Sequence, residues 1–260
     1  VAENTLPLAG QRVLVTRPAH QAQALTDYLR TLGAAPVALP LLEIVPTQEQ
    51  DGTDFQHCKR CILDLDLYRD VIFVSPNAAR IGADWIDAYW PQLPLGVRWV
   101  GIGKQTADTL EQLGFDAWHA PGGFDSETLL AEPSMQALQG ERVLILRAEG
   151  GRTLLAETLQ DRGARVDYAH IYRRVCPDYP AGVIQSTIYA QPLSAILITS
   201  GQALHNLLQL CAPFDTRPTS TRIIVPSARL AELARSLGFT RIRVAPGPDD
   251  HSMVDALLPA

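Results

Sequence analysis

The chain has 260 residues, 47% of them hydrophobic, which is enough for two compact domains of about 120 residues each. Its 28 acidic and 22 basic residues leave a net charge of −6, which argues against a general nucleic-acid binder, since such proteins carry a basic excess. No apolar run is long enough to span a bilayer, no charged segment followed by an apolar one opens the sequence, and four irregularly spaced cysteines suit a reducing compartment; a cytoplasmic protein without membrane contact is expected.

Residues 12–16 (RVLVT) read as a strand ending at Arg17-Pro18, with the proline suited to a first helical turn. Leu25, Tyr28, Leu29 and Leu32 follow at helical spacing, and Gly33 suits a C-cap. Residues 36–39 form a second strand, and 48–67 a loop with a short helix. Strands are then predicted at 71–74, 99–100 and 117–119, with helices at 77–89, 105–113 and 126–131. Further strands fall at 142–146, 165–168, 195–199, 222–225 and 241–245. Apolar, β-branched strands alternating with helices predict parallel sheets covered on both faces, an α/β fold.

The second half resembles the first. Residues 10–46 align without a gap on 140–176, an offset of 130, with ten of thirty-seven positions identical, among them Arg17/Arg147, Leu25/Leu155 and Gly33/Gly163. Residues 71–80 answer 195–204, and 98–115 answer 222–239. So long a period is a domain-sized unit used twice, not a solenoid repeat. A site between two similar lobes is expected. Segments 42–47 (LEIVPT) and 170–176 (HIYRRVC) are equivalent in the repeat and read as two connections between lobes. Two arrangements fit the residues: halves folded in tandem, or residues 1–42 pairing with 177–260 while 48–168 form the other lobe.

In open parallel sheets ligands bind past the carboxyl ends of strands, at helix N-termini. Those positions here are Arg17-Pro18, Ser75-Pro76-Asn77, the run from Gly101 through Gly103, Lys104 and Thr106, the run from Arg147 through Gly150, Ser200-Gly201, and Ser227-Ala228. Hydroxyls, glycines and cations suit an anion, and six such starts suit several carboxylates; singly, each Ser or Thr is a helix cap. Sharper motifs fail. The glycine pattern at 101–106 lacks the third glycine of a dinucleotide site and the spacing of a P-loop. His57, Cys58 and Cys61 lack a fourth zinc ligand, and no nucleophile elbow is present. His170 and His205 read as structural. One repeat position diverges informatively: Tyr172 stands where its partner is Leu42; a phenol there can serve as hydrogen-bond donor or general acid, and the plainer reading is packing, since strands are rich in tyrosine.

VLVTRP, VIFVSPNA, WVGIGKQTADTL, VLILR, YRR and ILITSGQAL, in that order from Gln11 to about Leu257, resemble the uroporphyrinogen-III synthase family. The resemblance implies two flavodoxin-like lobes joined by a two-stranded connector (43–47 and 169–176) in the crossed arrangement. It implies a cytosolic, monomeric enzyme without cofactor or metal. The substrate would be hydroxymethylbilane, a linear tetrapyrrole with eight carboxylates, cyclised in the cleft through azafulvene and spiro intermediates with inversion of ring D; transient handover from the bilane-forming enzyme is a further expectation. Tyr172 matches the tyrosine that assists hydroxide departure. Ser75, Asn77, Thr106, Ser200 and Ser227 match or adjoin the family's cleft positions, and Arg17 and Arg147 would be charge partners. After Val225 the chain reads PSARLAEL, where many relatives carry a glycine and paired threonines. The rival reading is a non-catalytic, two-lobed binding protein for a polycarboxylate.

Overall fold

The computed structural model describes residues 6–123 and 125–258; the first five and last two residues of the expected first lobe lie outside that range. The strands are β1 (Arg12–Val15), β2 (Ala35–Ala38), β3 (Glu43–Pro46), β4 (Asp70–Phe73), β5 (Arg98–Gly101), β6 (Ala117–Trp118), β7 (Arg142–Ala148), β8 (Arg165–Val175), β9 (Ala195–Leu197), β10 (Arg222–Val225) and β11 (Ile242–Val244). The α-helices are α1 (Ala19–Thr31), α2 (Thr53–Leu63), α3 (Pro76–Tyr89), α4 (Lys104–Gln112), α5 (Ser126–Ala131), α6 (Leu154–Asp161), α7 (Ala181–Ile184), α8 (Gly201–Leu210), α9 (Ala228–Ser236) and α10 (Asp250–Asp255).

Two compact units result. Unit 1 comprises the chain up to Glu43 and from Val175 onward, and unit 2 is Ile44–Arg174. The chain therefore passes between them twice, within β3 and at the end of β8. In unit 1 the sheet order is β2-β1-β9-β10-β11, with parallel pairing throughout. Numbered within the unit, this is the flavodoxin-like order 2-1-3-4-5. Unit 2 has the order β3-β8-β7-β4-β5-β6, and β8-β7-β4-β5-β6 is parallel. That run is the same arrangement entered at a different strand.

Burial on both faces explains why the strands are apolar without strict alternation. In β4, Val71 and Phe73 pack with Ile62, Ile86 and Leu110, while Ile72 faces Leu155 and Leu159. In unit 1, Leu14 joins Ile196, Leu204 and Leu207, while Val13 and Val15 join Leu25 and Leu29.

Three local expectations change. Helix α1 starts after Pro18, which serves as its N-cap, not inside its first turn. Helix α2 is longer than the short helix expected: Cys58, Cys61 and Ile62 line its buried face, with Leu65 beyond it. Residues 165–176 are read as a strand followed by a connector, but Arg165–Val175 form one strand of eleven residues, whose register against β7 shifts between Arg147 and Ala148.

Candidate active site

A doubly wound sheet binds ligands where successive helices pass to opposite faces. In unit 2 that point lies between β7 and β4. Helix α6, after β7, packs through Leu155 and Leu159 on one face; α3, after β4, packs through Ala79 and Ile86 on the other. The segments leaving these strands carry Gly150, Ser75 and Asn77. Tyr172 stands beside them on β8, paired with Ala148 at the register shift.

Ser75 is the N-cap of α3: its backbone is extended and its Oγ accepts the Ala78 N–H at 3.1 Å. Pro76 occupies the first helical position, where an N–H has no partner to lose. The same Oγ lies 3.0 Å from the phenol oxygen of Tyr172, 97 residues along the chain. Tyr172 is only 2% exposed and packs with Phe73, Leu146 and Ala148. A buried phenol needs a hydrogen-bond partner, and Ser75 provides it.

The turn after β7 uses Gly150 and Gly151 at φ 73° and 94°, the left-handed region that favours glycine. Arg147 braces this turn, donating to the carbonyls of Ala148 (3.2 Å), Arg152 (2.9 Å) and Gly150. Its guanidinium lies 4.9 Å from the ring centre of Tyr168. The Glu149 N–H donates to the Tyr172 carbonyl at 2.9 Å and ties the turn to β8.

After β5, Gly103 is the N-cap of α4, Thr106 is buried, and Lys104 is exposed and paired with Asp108 at 2.7 Å. Gly101 allows α4 to start directly above the strand: a Cβ there would stand 2.5 Å from the Ala107 nitrogen. In unit 1, Arg17 pairs with Asp250 and donates to the Pro248 carbonyl at 2.5 Å. Ser200 and Ser227 cap α8 and α9 by accepting from Ala203 (3.1 Å) and Leu230 (3.3 Å).

Eight of the expected site residues thus lie at one sheet edge of unit 2, and Arg17, Ser200 and Ser227 at the corresponding edge of unit 1. Of the eight, the structure joins Ser75 to Tyr172, Arg147 to Gly150 and, within the first turn of α4, the Thr106 N–H to the Gly103 carbonyl. All three cations already have protein partners. What both edges offer an anion is hydroxyls and first-turn N–H groups.

Sequence reasoning takes His170 as structural and does not single out the other polar groups around Tyr172. Thr47, Asp51, Asp54, Glu149, His170 and Arg173 line a small cavity of about 10 Å³ with it. The Gln48 N–H, and then Arg173, hold the Asp51 carboxyl below its ordinary value. Burial, and then the charge of Arg147, hold the His170 imidazole below its own. His57 Nε2 meets the Tyr168 carbonyl at 2.8 Å and Cys61 Sγ at 3.7 Å. A groove of about 400 Å³ lined by Phe55, Ile81, Trp85 and Tyr89 contains none of the expected site residues.

The fold and these edges define a class: a protein of two flavodoxin-like units whose strand ends present helix N-termini and hydroxyls, with a buried tyrosine beside one crossover point. Residues 23–255 match the family model described as uroporphyrinogen-III synthase HemD, and the chain belongs to that family. It is 33% identical over 251 residues to the uroporphyrinogen-III synthase of Salmonella typhimurium, covering 94% of this chain and 99% of that one. The Escherichia coli uroporphyrinogen-III synthase is 32% identical, with the same coverage. The fold is similar to that of uroporphyrinogen-III synthetase from Helicobacter pylori, with a TM-score of 0.61 at 15% identity over 94% of this chain and 96% of that one. A mutant uroporphyrinogen III synthase from Thermus thermophilus gives 0.58 at 16% identity, with the same coverage.

Proposed function

We propose that the chain cyclises hydroxymethylbilane to uroporphyrinogen III, with loss of water and inversion of the last ring, as an enzyme of haem biosynthesis. The observation that carries this reading is the match to the Salmonella typhimurium synthase along nearly the whole of both chains.

Loss of water from the hydroxymethyl group gives an electrophilic azafulvene. The terminal pyrrole attacks through its substituted carbon, and the resulting spiro intermediate fragments and recloses the other way round. Tyr172 supplies the acid that assists departure of the hydroxyl. Ser75, Asn77, Gly103, Lys104, Thr106, Arg147 and Gly150 in unit 2, and Arg17, Ser200 and Ser227 in unit 1, bind the substrate, most of them through its carboxylates. Helix N–H groups and hydroxyls make the contacts, and the partnered cations contribute their field. Holding the bilane folded supplies much of the rate. The scheme uses no cofactor. The protein works as a cytoplasmic monomer and receives the unstable bilane by transient handover from the enzyme that forms it. Among the described residues, no helix is long and apolar enough to cross a membrane.

The test is to supply hydroxymethylbilane, oxidise the products and resolve the type I and type III isomers. A type III fraction no higher than in a protein-free control refutes the reading. A non-catalytic polycarboxylate carrier, which the family match does not favour, would bind the bilane and leave the isomer ratio unchanged.

A further inference from the structure

We propose that Ser75 is the group that hands the proton to the departing hydroxyl, with Tyr172 standing behind it as the proton source. The inference deepens the cyclisation reading and rests on it. Tyr172 is 2% exposed, whereas Ser75 is only partly buried. Tyr172 also lines the small cavity beside Asp51 and Arg173, but at about 10 Å³ that space is too small for a pyrrole. Of the two residues, Ser75 is the more open to a substrate oxygen.

Hydrogen-bond accounting gives the direction. A serine hydroxyl has one donor and two acceptor sites. The Ala78 N–H fills one acceptor site at 3.1 Å, and the Tyr172 O–H fills the other at 3.0 Å. The single Ser75 O–H then remains for a ligand. The reverse arrangement would spend the serine proton on the phenol and leave the phenol proton buried without a partner, which is the costlier state. Helix α3, fourteen residues long, points its positive end at the pair and favours the negative charge that proton donation leaves behind.

The step balances. The bond between the methylene carbon and its hydroxyl oxygen breaks. Ser75 Oγ–H passes to that oxygen and makes water, while the Tyr172 proton passes to Ser75 Oγ. The products are water, an azafulvenium cation and the Tyr172 phenolate. When the macrocycle closes, the ring carbon that forms the new bond sheds its hydrogen as a proton, and Tyr172 is restored.

The experiment compares kcat, KM and isomer ratio for the full chain and for Ser75→Ala, Ser75→Thr, Ser75→Asp, Tyr172→Phe and the Ser75→Ala/Tyr172→Phe double variant. Ser75→Ala is expected to lower kcat roughly tenfold or more, with KM changed by less than about twofold. Tyr172→Phe should lower kcat by no more than that, and the double variant should be no slower than Ser75→Ala. Ser75→Thr should restore kcat to within about threefold, because it keeps both cap and hydroxyl. Ser75→Asp keeps the cap without a hydroxyl proton and should stay slow, which separates proton donation from helix capping. Unchanged kcat in Ser75→Ala, multiplying losses in the double variant, or full speed in Ser75→Asp or Tyr172→Phe overturns the relay. A wild-type protein that yields no excess type III isomer overturns the cyclisation reading instead.

Discussion

Asp70 and Arg98 meet at 2.5 Å across β4 and β5, at the opposite end of the sheet from Ser75, with the carboxylate wholly buried. Arg69 stands 3.9 Å from the second carboxylate oxygen, which has no hydrogen-bond partner among the described residues. Arg98 also lies over the Trp118 ring. The pair joins β4 to β5, and the ring contact extends the link to β6. Asp70→Ala would leave a partly buried guanidinium unpaired and is expected to cost about 2–3 kcal/mol, less than a fully buried pair because Arg98 is part-exposed. Denaturant unfolding of the full chain measures it, and a cost below about 0.5 kcal/mol would show that the pair is dispensable.

Gly101 and Gly182 should respond oppositely to alanine. A methyl at Gly101 meets the backbone of α4 at 2.5 Å, whereas at Gly182 in α7 nothing lies within 4 Å. Gly101→Ala is expected to destabilise by about 1–3 kcal/mol through overpacking. Because it pushes the Gly103–Thr106 segment, it should also lower kcat/KM. Gly182→Ala should stabilise by about 0.5–1 kcal/mol through helix propensity. Thermal midpoints of the two variants should move in opposite directions.

Asp51 gives a pH prediction with a definite sign. Its folded carboxyl is held below the ordinary 3.8, first by the Gln48 N–H and then by Arg173. The stabilisation is therefore fully present above the unfolded value and is lost as pH falls through the lowered folded value. Carboxyl NMR titration should place Asp51 below 3.8, and Arg173→Ala should raise it only part of the way, because the backbone N–H is the larger cause. A full return to the ordinary value in that variant would contradict the ranking.

Thiol reactivity follows burial. Burial pushes the Cys58 thiol up to about 12, and Cys61, Cys176 and Cys211 also stand above their ordinary value. Cys176 is the least enclosed of the four. Alkylation of the native protein at mildly alkaline pH should label Cys176 first, with the other three labelled only on unfolding. Mass spectrometry of a labelling time course reads the order directly.

The sequence reveals most of the scaffold because its strands are buried on both faces and stand out as short apolar runs. Residues 222–225 and 126–131 match β10 and α5 to the residue. Elements whose signal is not aliphatic escape. The inner face of α2 contains two cysteines, and α7, with the π-turn at Gln185–Tyr189, is too short to show a period. Repeat alignment also misleads by one residue. Without gaps it sets Ser75 against Thr199, yet the hydroxyl that caps α8 is Ser200, because the turn after β9 is one residue longer. At the candidate site the residue types are legible but their partners are not. Ser75 reaches Tyr172 only because β4, β7 and β8 are neighbours, and Arg17 meets Asp250 from 233 residues away. Such contacts belong to topology, which a local pattern does not encode.

The twice-crossed chain has a consequence for synthesis on the ribosome. Val13 in β1 pairs with Ala195 in β9, 182 residues later, so although β2 can pair with one edge of β1 early, the other edge waits until most of the chain has emerged. Residues Ile44–Arg174 are contiguous and can close their sheet while the remainder is still being made. Unit 2 is thus positioned to fold first, and unit 1, built from the chain's two ends, is where slow folding and chaperone demand should concentrate.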